Sequence, residues 1–273
     1  MRGQLYLIGT PIGNLSDLSP RARETLTHLD VLFCEDTRVT GKLLSFLGLS
    51  VPLRSLSDDH GEGRLQQAIE ALNAGRRVGF ASDAGMPGVS DPGRRLVRAA
   101  WQAGYKPTVV PGGSSVGTLL AACPFVDNRF RFVGFPPRKD GDRARFAALL
   151  AASEEPCFFF ESPHRVHAVL DEICAAVEPE RELILGREMT KLHEQLELFT
   201  AAGWPALRDS VPAIGEFTVA VAAAPEQEAP HDEVQLAAAL NRLQEAGLTK
   251  RDAVKALAAV WEVSPNELKD LAY

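Results

Sequence analysis

Short apolar runs recur along the first part of the chain, Leu5 to Ile8, Val31 to Cys34, Val78 to Ala81 and Thr108 to Val110, with amphipathic stretches of helical period between them. A strand that is apolar along its whole length must be covered on both faces, and the intervening helices are what can cover it. The alternation therefore predicts an α/β arrangement with substantial parallel pairing. Helix punctuation agrees: Ser19-Pro20 suits an N-cap followed by a first-turn proline, and Gly75 suits the close of a helix over Arg64 to Ala74.

A second series begins near Phe125, with predicted strands at Phe130 to Val133, Cys157 to Phe160, Leu183 to Leu185, Gln195 to Phe199 and Phe217 to Ala222. Only two helices fall among them, about Asp142 to Ala152 and His164 to Ala176, so a mixed sheet is expected there. The proline-bearing polar stretch Ala224 to Pro230 has the composition of a linker. Beyond it the pattern is helical only, over Asp232 to Ala246, Lys250 to Val260 and Ser264 to Leu271, compatible with a helix-turn-helix module or a small packing appendage.

With 273 residues and 45% hydrophobic content the chain has ample material for packed cores of about two domains. No apolar run approaches the ~20 residues a bilayer crossing needs, and Gln4 to Gly9 begins a strand where a secretory apolar segment would lie, so a cytoplasmic location is expected. Cys34, Cys123, Cys157 and Cys174 are scattered through apolar stretches, which suits buried free thiols rather than a zinc site or disulfides. A net charge of −7 weighs against binding naked nucleic acid through the global field. Local patches remain, Arg94-Arg95 with Arg98, and Arg138-Lys139 with Arg143 and Arg145, although solvated helix faces are the better explanation of such runs taken alone.

Four turns follow the predicted strands of the first series. Gly9-Thr10-Pro11-Ile12-Gly13-Asn14 lets backbone approach a ligand, and neither a G-x-G-x-x-G nor a Walker pattern is present. Glu35-Asp36-Thr37-Arg38 is either a functional loop or a helix start with acidic residues facing its dipole. Ser82 to Gly93 packs three glycines, two prolines and two aspartates into one loop, where a carboxylate could take ribose hydroxyls. Pro111-Gly112-Gly113-Ser114-Ser115 precedes a helix of small residues whose amides suit an anion. Later, Glu161-Ser162-Pro163-His164-Arg165 and Arg187-Glu188-Met189-Thr190-Lys191 place opposed charges at strand ends. Glu161, His164 and His167 do not complete a metal-ligand set, and no metal is expected.

These turns, with Gly215-Glu216-Phe217 and the tail segments Thr249 to Val254 and Ser264 to Leu268, together resemble the bacterial 16S ribosomal RNA 2′-O-ribose methyltransferase I family of the tetrapyrrole-methylase superfamily. The resemblance implies an α/β fold of two domains, 1–117 and 118–224, holding S-adenosylmethionine in the cleft between them, with a helical domain over 232–273. It implies a homodimer that methylates a cytidine ribose in the decoding region of 16S rRNA, on the 30S subunit. The superfamily's donor-binding pattern falls on Pro11, Asp83, Ala84, Gly85, Met86, Ser115, Val116, Phe160 and Gly215. Ser114-Ser115 departs from the commoner proline-small-alanine form, which leaves backbone contacts there but puts side-chain contacts in question.

A ribose hydroxyl is a poor nucleophile, so a group must accept its proton or stabilise the alkoxide. Lys191, Glu161, Glu35 and Asp36 are the candidate catalytic residues, and Arg38, His164, Arg165 and Arg187 the candidate substrate-binding ones. Lys191 is the first choice for the base, on the expectation that desolvation and Arg187 hold it partly neutral against the opposing influence of Glu188. Arg38, Arg165 and the Arg138 to Arg145 stretch are expected on phosphates. Two other readings stand beside this one: a methyltransferase of tetrapyrroles, and a non-catalytic RNA-binding assembly factor.

Overall fold

The computed structural model describes residues 2–56, 61–225 and 233–261. The chain divides into two compact units, Met1–Ala223 and Ala224–Tyr273. The first unit opens with β1 (Gln4–Ile8), α1 (Pro20–Thr27), β2 (Val31–Cys34), α2 (Thr37–Leu47), β3 (Leu53–Ser55), α3 (Gly61–Asn73), β4 (Arg77–Ala81), α4 (Gly93–Gln102) and β5 (Thr108–Val110). The five strands form one sheet in the order β3-β2-β4-β1-β5, every neighbour parallel. Alternation of side chains along β2 explains why both faces are covered: Val31 and Phe33 pack with Leu72 and Leu96 on one side, and Leu32 with Leu26 and Leu44 on the other. Each such burial of a large aliphatic or aromatic side chain stabilises by about 1.5–3 kcal/mol. Parallel strands also deliver all their C-terminal ends to one edge, so the turns after β1, β2, β4 and β5 converge there.

The chain continues with α5 (Ser115–Ala122), β6 (Arg131–Phe132), α6 (Asp140–Ala151), β7 (Cys157–Glu161), α7 (Val166–Ala176), β8 (Glu182–Arg187), β9 (Gln195–Thr200), α8 (Trp204–Leu207) and β10 (Phe217–Val221). The second sheet runs β6-β7-β10-β8-β9 and is mixed as expected, with β6 parallel to β7 and the other pairs antiparallel. Phe159, Leu185 and Val219 face α6 and α7 around Trp204, whereas Phe158, Ile184 and Ala220 face Leu119 of α5 and Ile12 of the turn after β1. That second cluster joins the two sheets within the unit.

Punctuation behaves as the residue types require. Ser19 Oγ accepts from the Ala22 amide at 3.1 Å, capping α1, and Gly75 adopts φ +80° after α3. Two elements differ from expectation by their presence: β3, whose pairing of Leu32 with Leu53 is a tertiary matter, and the one-turn α8. Helix α7 starts at Val166 rather than His164, because Ser162 O accepts from both Arg165 N and Val166 N and makes Ser162 to Arg165 a turn. Cys34 and Cys157 are buried, Cys123 and Cys174 half-buried, and all four are free thiols.

In the second unit α9 (Glu233–Glu245) and α10 (Lys250–Trp261) bury Leu240, Ala253, Val254 and Leu257 against each other. Gly247 at φ +94° ends α9, and Thr249 caps α10 by accepting from the Asp252 amide. The helix expected over 264–271 lies outside the described residues.

Candidate active site

The turn after β1 and the turn after β5 touch through glycine. A Cβ on Gly112 would lie 2.3–2.6 Å from Gly9 backbone atoms, so neither position admits a side chain without moving the main chain. Met86 completes this junction, its sulfur accepting from the Gly112 amide at 3.2 Å. The loop after β4 is fixed against the same turn: the Gly85 amide donates to Thr10 Oγ1 at 3.0 Å, and Ser82 Oγ donates to the Gly85 carbonyl at 3.0 Å. Gly85 itself sits at φ +85°, a conformation glycine reaches without a steric penalty.

These turns bound a cleft of about 940 Å³, counting space open to solvent. Asp83 to Met86 form one side and Ser115 and Val116, in the first turn of α5, another; Phe135, Phe160 and Thr218 of the second sheet region close it. Phe160 stands edge-to-face with Phe132 and Phe135, at centroid distances of 4.8 and 5.5 Å. The cleft thus offers aromatic edges, small residues and the first turn of a helix capped by Ser114 Oγ, which accepts from the Gly117 amide at 3.1 Å, the mixture suited to a ligand with a flat ring at one end and an anionic group at the other.

Beneath it two acidic side chains lock neighbouring strand ends together. Glu35 Oε1 accepts from the Asp83 amide and Asp83 Oδ1 accepts from the Asp36 amide, each at 3.0 Å. Burial pushes both carboxyls above their ordinary values. Asp36 behaves oppositely: it caps α2 through the Arg38 amide at 2.8 Å and grips the Arg38 guanidinium at 2.6 Å, which brings its carboxyl down to about 2. A carboxylate so held is a weak proton acceptor. Arg38, expected on phosphate, is exposed and paired with Asp36.

Glu161 ends β7 with its side chain 1% exposed. Its Oε1 accepts from the Ser162 amide at 2.6 Å and from Arg165 at 2.7 Å, while its buried Oε2 has no partner among the described residues. Arg165 is occupied here too, donating also to the Pro136 and Pro137 carbonyls, so it anchors the segment that carries Phe135. His164 is exposed and lines neither this cleft nor the cavity beside it. Arg187 is buried and donates to the Ile214 and His193 carbonyls, at 2.8 and 3.1 Å, which makes it a brace for the loops on either side of β9.

A second cavity of about 780 Å³ adjoins the first and shares Asp83, Ala84 and Glu216 with it. Pro11, Leu15 and Lys42 line it, and so does Lys191. Lys191 Nζ donates to Glu188 at 2.8 Å and Glu216 at 3.1 Å. Burial alone would lower its pKa, but the two carboxylates outweigh burial and the net shift is upward. The expectation of a partly neutral lysine is therefore overturned, since Arg187 turns to backbone carbonyls and Glu188 prevails. Gly215 serves this arrangement: it stands at φ +93°, and a Cβ there would meet the Glu188 carboxylate at 2.5 Å. Glu188 and Thr190 themselves adopt positive φ, 49° and 66°, an unusual backbone for residues with side chains.

The chain's likenesses agree with this architecture. Residues 4–203 match the family described as Tetrapyrrole (Corrin/Porphyrin) Methylases. A protein of Synechocystis named Ribosomal RNA small subunit methyltransferase I is 37% identical over 274 residues, covering 99% of this chain and 97% of that protein. The protein of that name from Mycobacterium tuberculosis strain H37Rv is 39% identical over 263 residues, covering 94% and 90%. The chain belongs to the ribosomal RNA small subunit methyltransferase I family. Solved structures with the same fold include a uroporphyrin-III C-methyltransferase from Thermus thermophilus, at TM-score 0.58 and 23% identity over 81% of this chain and 94% of that one. Another crystal structure of such an enzyme from that organism, complexed with S-adenyl homocysteine, aligns at TM-score 0.55 and 17% identity over 80% and 97%.

Methyl transfer needs the acceptor's oxygen directly against the donor's methyl group, and the two cavities adjoin at Asp83, Ala84 and Glu216. The expected Asp83, Ala84, Gly85, Met86, Ser115, Val116 and Phe160 line the first cavity; Pro11 lines the second and Gly215 leaves room for Glu188. Phe135 and Thr218 went unnoticed in the sequence reading, Glu188 entered only as a charge opposing a neutral Lys191, and Glu216 only as part of the Gly215-Glu216-Phe217 motif. The usable signals were a phenylalanine between Gly134 and Pro136, and an acidic residue wedged between Gly215 and a strand apolar except for Thr218.

Proposed function

We propose that this chain transfers a methyl group from S-adenosylmethionine to the 2′-hydroxyl of a cytidine ribose in the decoding region of 16S rRNA, acting on the 30S subunit as a cytoplasmic homodimer. The observation that carries this reading is the pair of cavities adjoining at Asp83, Ala84 and Glu216, one with aromatic and glycine-rich walls and the other containing a cationic lysine between two carboxylates. The domains that meet at the cleft are 1–117 and 118–224, and the helical domain over 232–273 is the candidate for docking to the ribosomal particle.

The first cavity fits the donor by its own chemistry. Phe135 and Phe160 accept a flat ring, the Ser115 and Val116 end of α5 favours a carboxylate, and the Gly9–Gly112 contact keeps the main chain close. The bound sulfonium supplies a methyl group already activated for in-line attack by the ribose oxygen. The protein's part is alignment, exclusion of water and disposal of one proton. Protonated Lys191 has no lone pair to accept that proton, so its role is to stabilise the negative charge developing on the ribose oxygen. Glu216, lining both cavities and 3.1 Å from Lys191 Nζ, takes the proton. Glu35 and Asp83 hold the strand ends in register rather than moving protons.

Offering purified protein radiolabelled S-adenosylmethionine with either 30S particles lacking the modification or a reduced tetrapyrrole tests this reading. Label is expected in the particle alone. Transfer to the tetrapyrrole alone would assign the second cavity to a macrocycle, and donor binding without any transfer would leave a binding protein.

A further inference from the structure

The two basic stretches of the sequence meet different fates in the fold. Arg143 is paired with Glu172 at 2.6 Å and Asp140 at 2.9 Å, and Arg145 pairs with Asp142, so the helical half of that patch is returned to the protein's own carboxylates, while Arg138 and Lys139 before α6 are exposed. Arg94 and Arg98 stand one turn apart on the exposed face of α4, and neither forms an ion pair with a described residue.

Arg94 borders a groove of about 1370 Å³, counting open space. The loop from Gly88 to Pro92 forms its floor, and Phe132 and Gly134 form the opposite wall. Glu35, Val89, Ser90 and Asp91 belong both to this groove and to the aromatic cleft, so the two are continuous. Val89 is 43% exposed, an apolar surface facing open space. The carboxylates present are turned to backbone: Asp91 accepts from the Val89 and Gly93 amides at 3.0 and 2.7 Å, and Glu35 from the Asp83 amide.

An open groove with an apolar and aromatic wall, Arg94 on its rim and Arg98 one turn farther along α4, matches single-stranded nucleic acid, whose bases lie on such walls and whose phosphates take arginine. We infer that the nucleotides flanking the methylated one run through this groove, a base against Val89 and Phe132 and successive phosphates on Arg94 and Arg98. This rests on the RNA reading proposed above and assigns part of the recognition that the net charge of −7 cannot supply. Charge complementarity and continuity with the cleft are its supports.

The double variant Arg94→Ala/Arg98→Ala tests it in the full chain. Expected are a rise of about tenfold or more in KM for 30S particles and a flattening by about 1.4 of the slope of log(kcat/KM) against log salt, at about 0.7 per single-strand phosphate. The donor Kd from calorimetry and the melting temperature should stay at wild-type values, as should the sedimentation coefficient. An unchanged salt slope, with wild-type protein active on the particle, overturns this inference and leaves the proposed function standing. A changed sedimentation coefficient with an unchanged KM overturns it by assigning the face to a second copy of the chain. Wild-type protein that modifies no RNA at all removes the functional reading and this inference with it.

Discussion

Lys191 has two carboxylate neighbours, and removing its charge leaves Glu188 and Glu216 close together without the ammonium between them. Lys191→Ala should lower kcat on 30S particles by about 10²–10⁴-fold, the usual range for a lost acid, base or charge in a transition state, with the donor Kd unchanged. Lys191→Arg, which keeps the charge but not the point geometry, should recover part of that loss. Full methylation by the alanine variant would exclude Lys191 from the chemistry. Asp36 makes a different prediction, on stability. Its carboxyl lies near 2 in the fold against an ordinary 3.8, so its ionised form favours the folded state above about pH 4, and that contribution disappears as pH falls toward 2. Urea midpoints of wild type and Asp36→Asn, measured from pH 5 downward, should converge at the acid end; a constant gap would mean the Arg38 pairing does not set the titration. Much of the site was legible because glycine and charge concentrate where apolar strands stop. What stayed hidden were partnerships. A helix start at Glu35-Asp36-Thr37-Arg38 was one of two readings of those residues, and Asp36 does cap α2; that Glu35 holds the Asp83 amide could not be read there, because it depends on β2 lying beside β4.

Among the elements, the parallel sheet was readable because its strands, covered on both faces, are continuous apolar runs. Strand β3 was not: Leu53-Arg54-Ser55 has one large apolar residue, and its pairing with Leu32 to Cys34 is what makes it a strand. The paired turns after β1 and β5 carry the sharpest test at this scale. Gly112→Ala would drive a methyl into Gly9 at 2.3 Å, so it should destabilise the unit by about 1–3 kcal/mol, as overpacking does, and weaken donor binding at least in proportion. Gly63→Ala, in α3 with open space around it, is the control and should be neutral or stabilising. Thermal melts and calorimetry on both variants decide the matter; equal behaviour would show that the Gly9–Gly112 approach has no energetic weight.

Among the described residues the hydrophobic clusters separate by unit, four within Met1–Ala223 and the small one of α9 and α10 beyond it. Truncation after Ala223 should leave cooperative unfolding and donor affinity intact while raising KM for the particle; full activity of the truncated chain would remove the helices from substrate docking. The acidic net charge makes the acceptor the least expected part of the proposal, since a field of that sign repels RNA. The most direct measurement is therefore to identify the product. Incubating 30S particles that lack the modification with the protein and isotopically labelled S-adenosylmethionine, then digesting the 16S rRNA to nucleosides for mass spectrometry, should place the label in 2′-O-methylcytidine from a single position in the decoding region. Label on a base, label spread over many riboses, or none in RNA while a tetrapyrrole offered in parallel is methylated would contradict the proposed reaction.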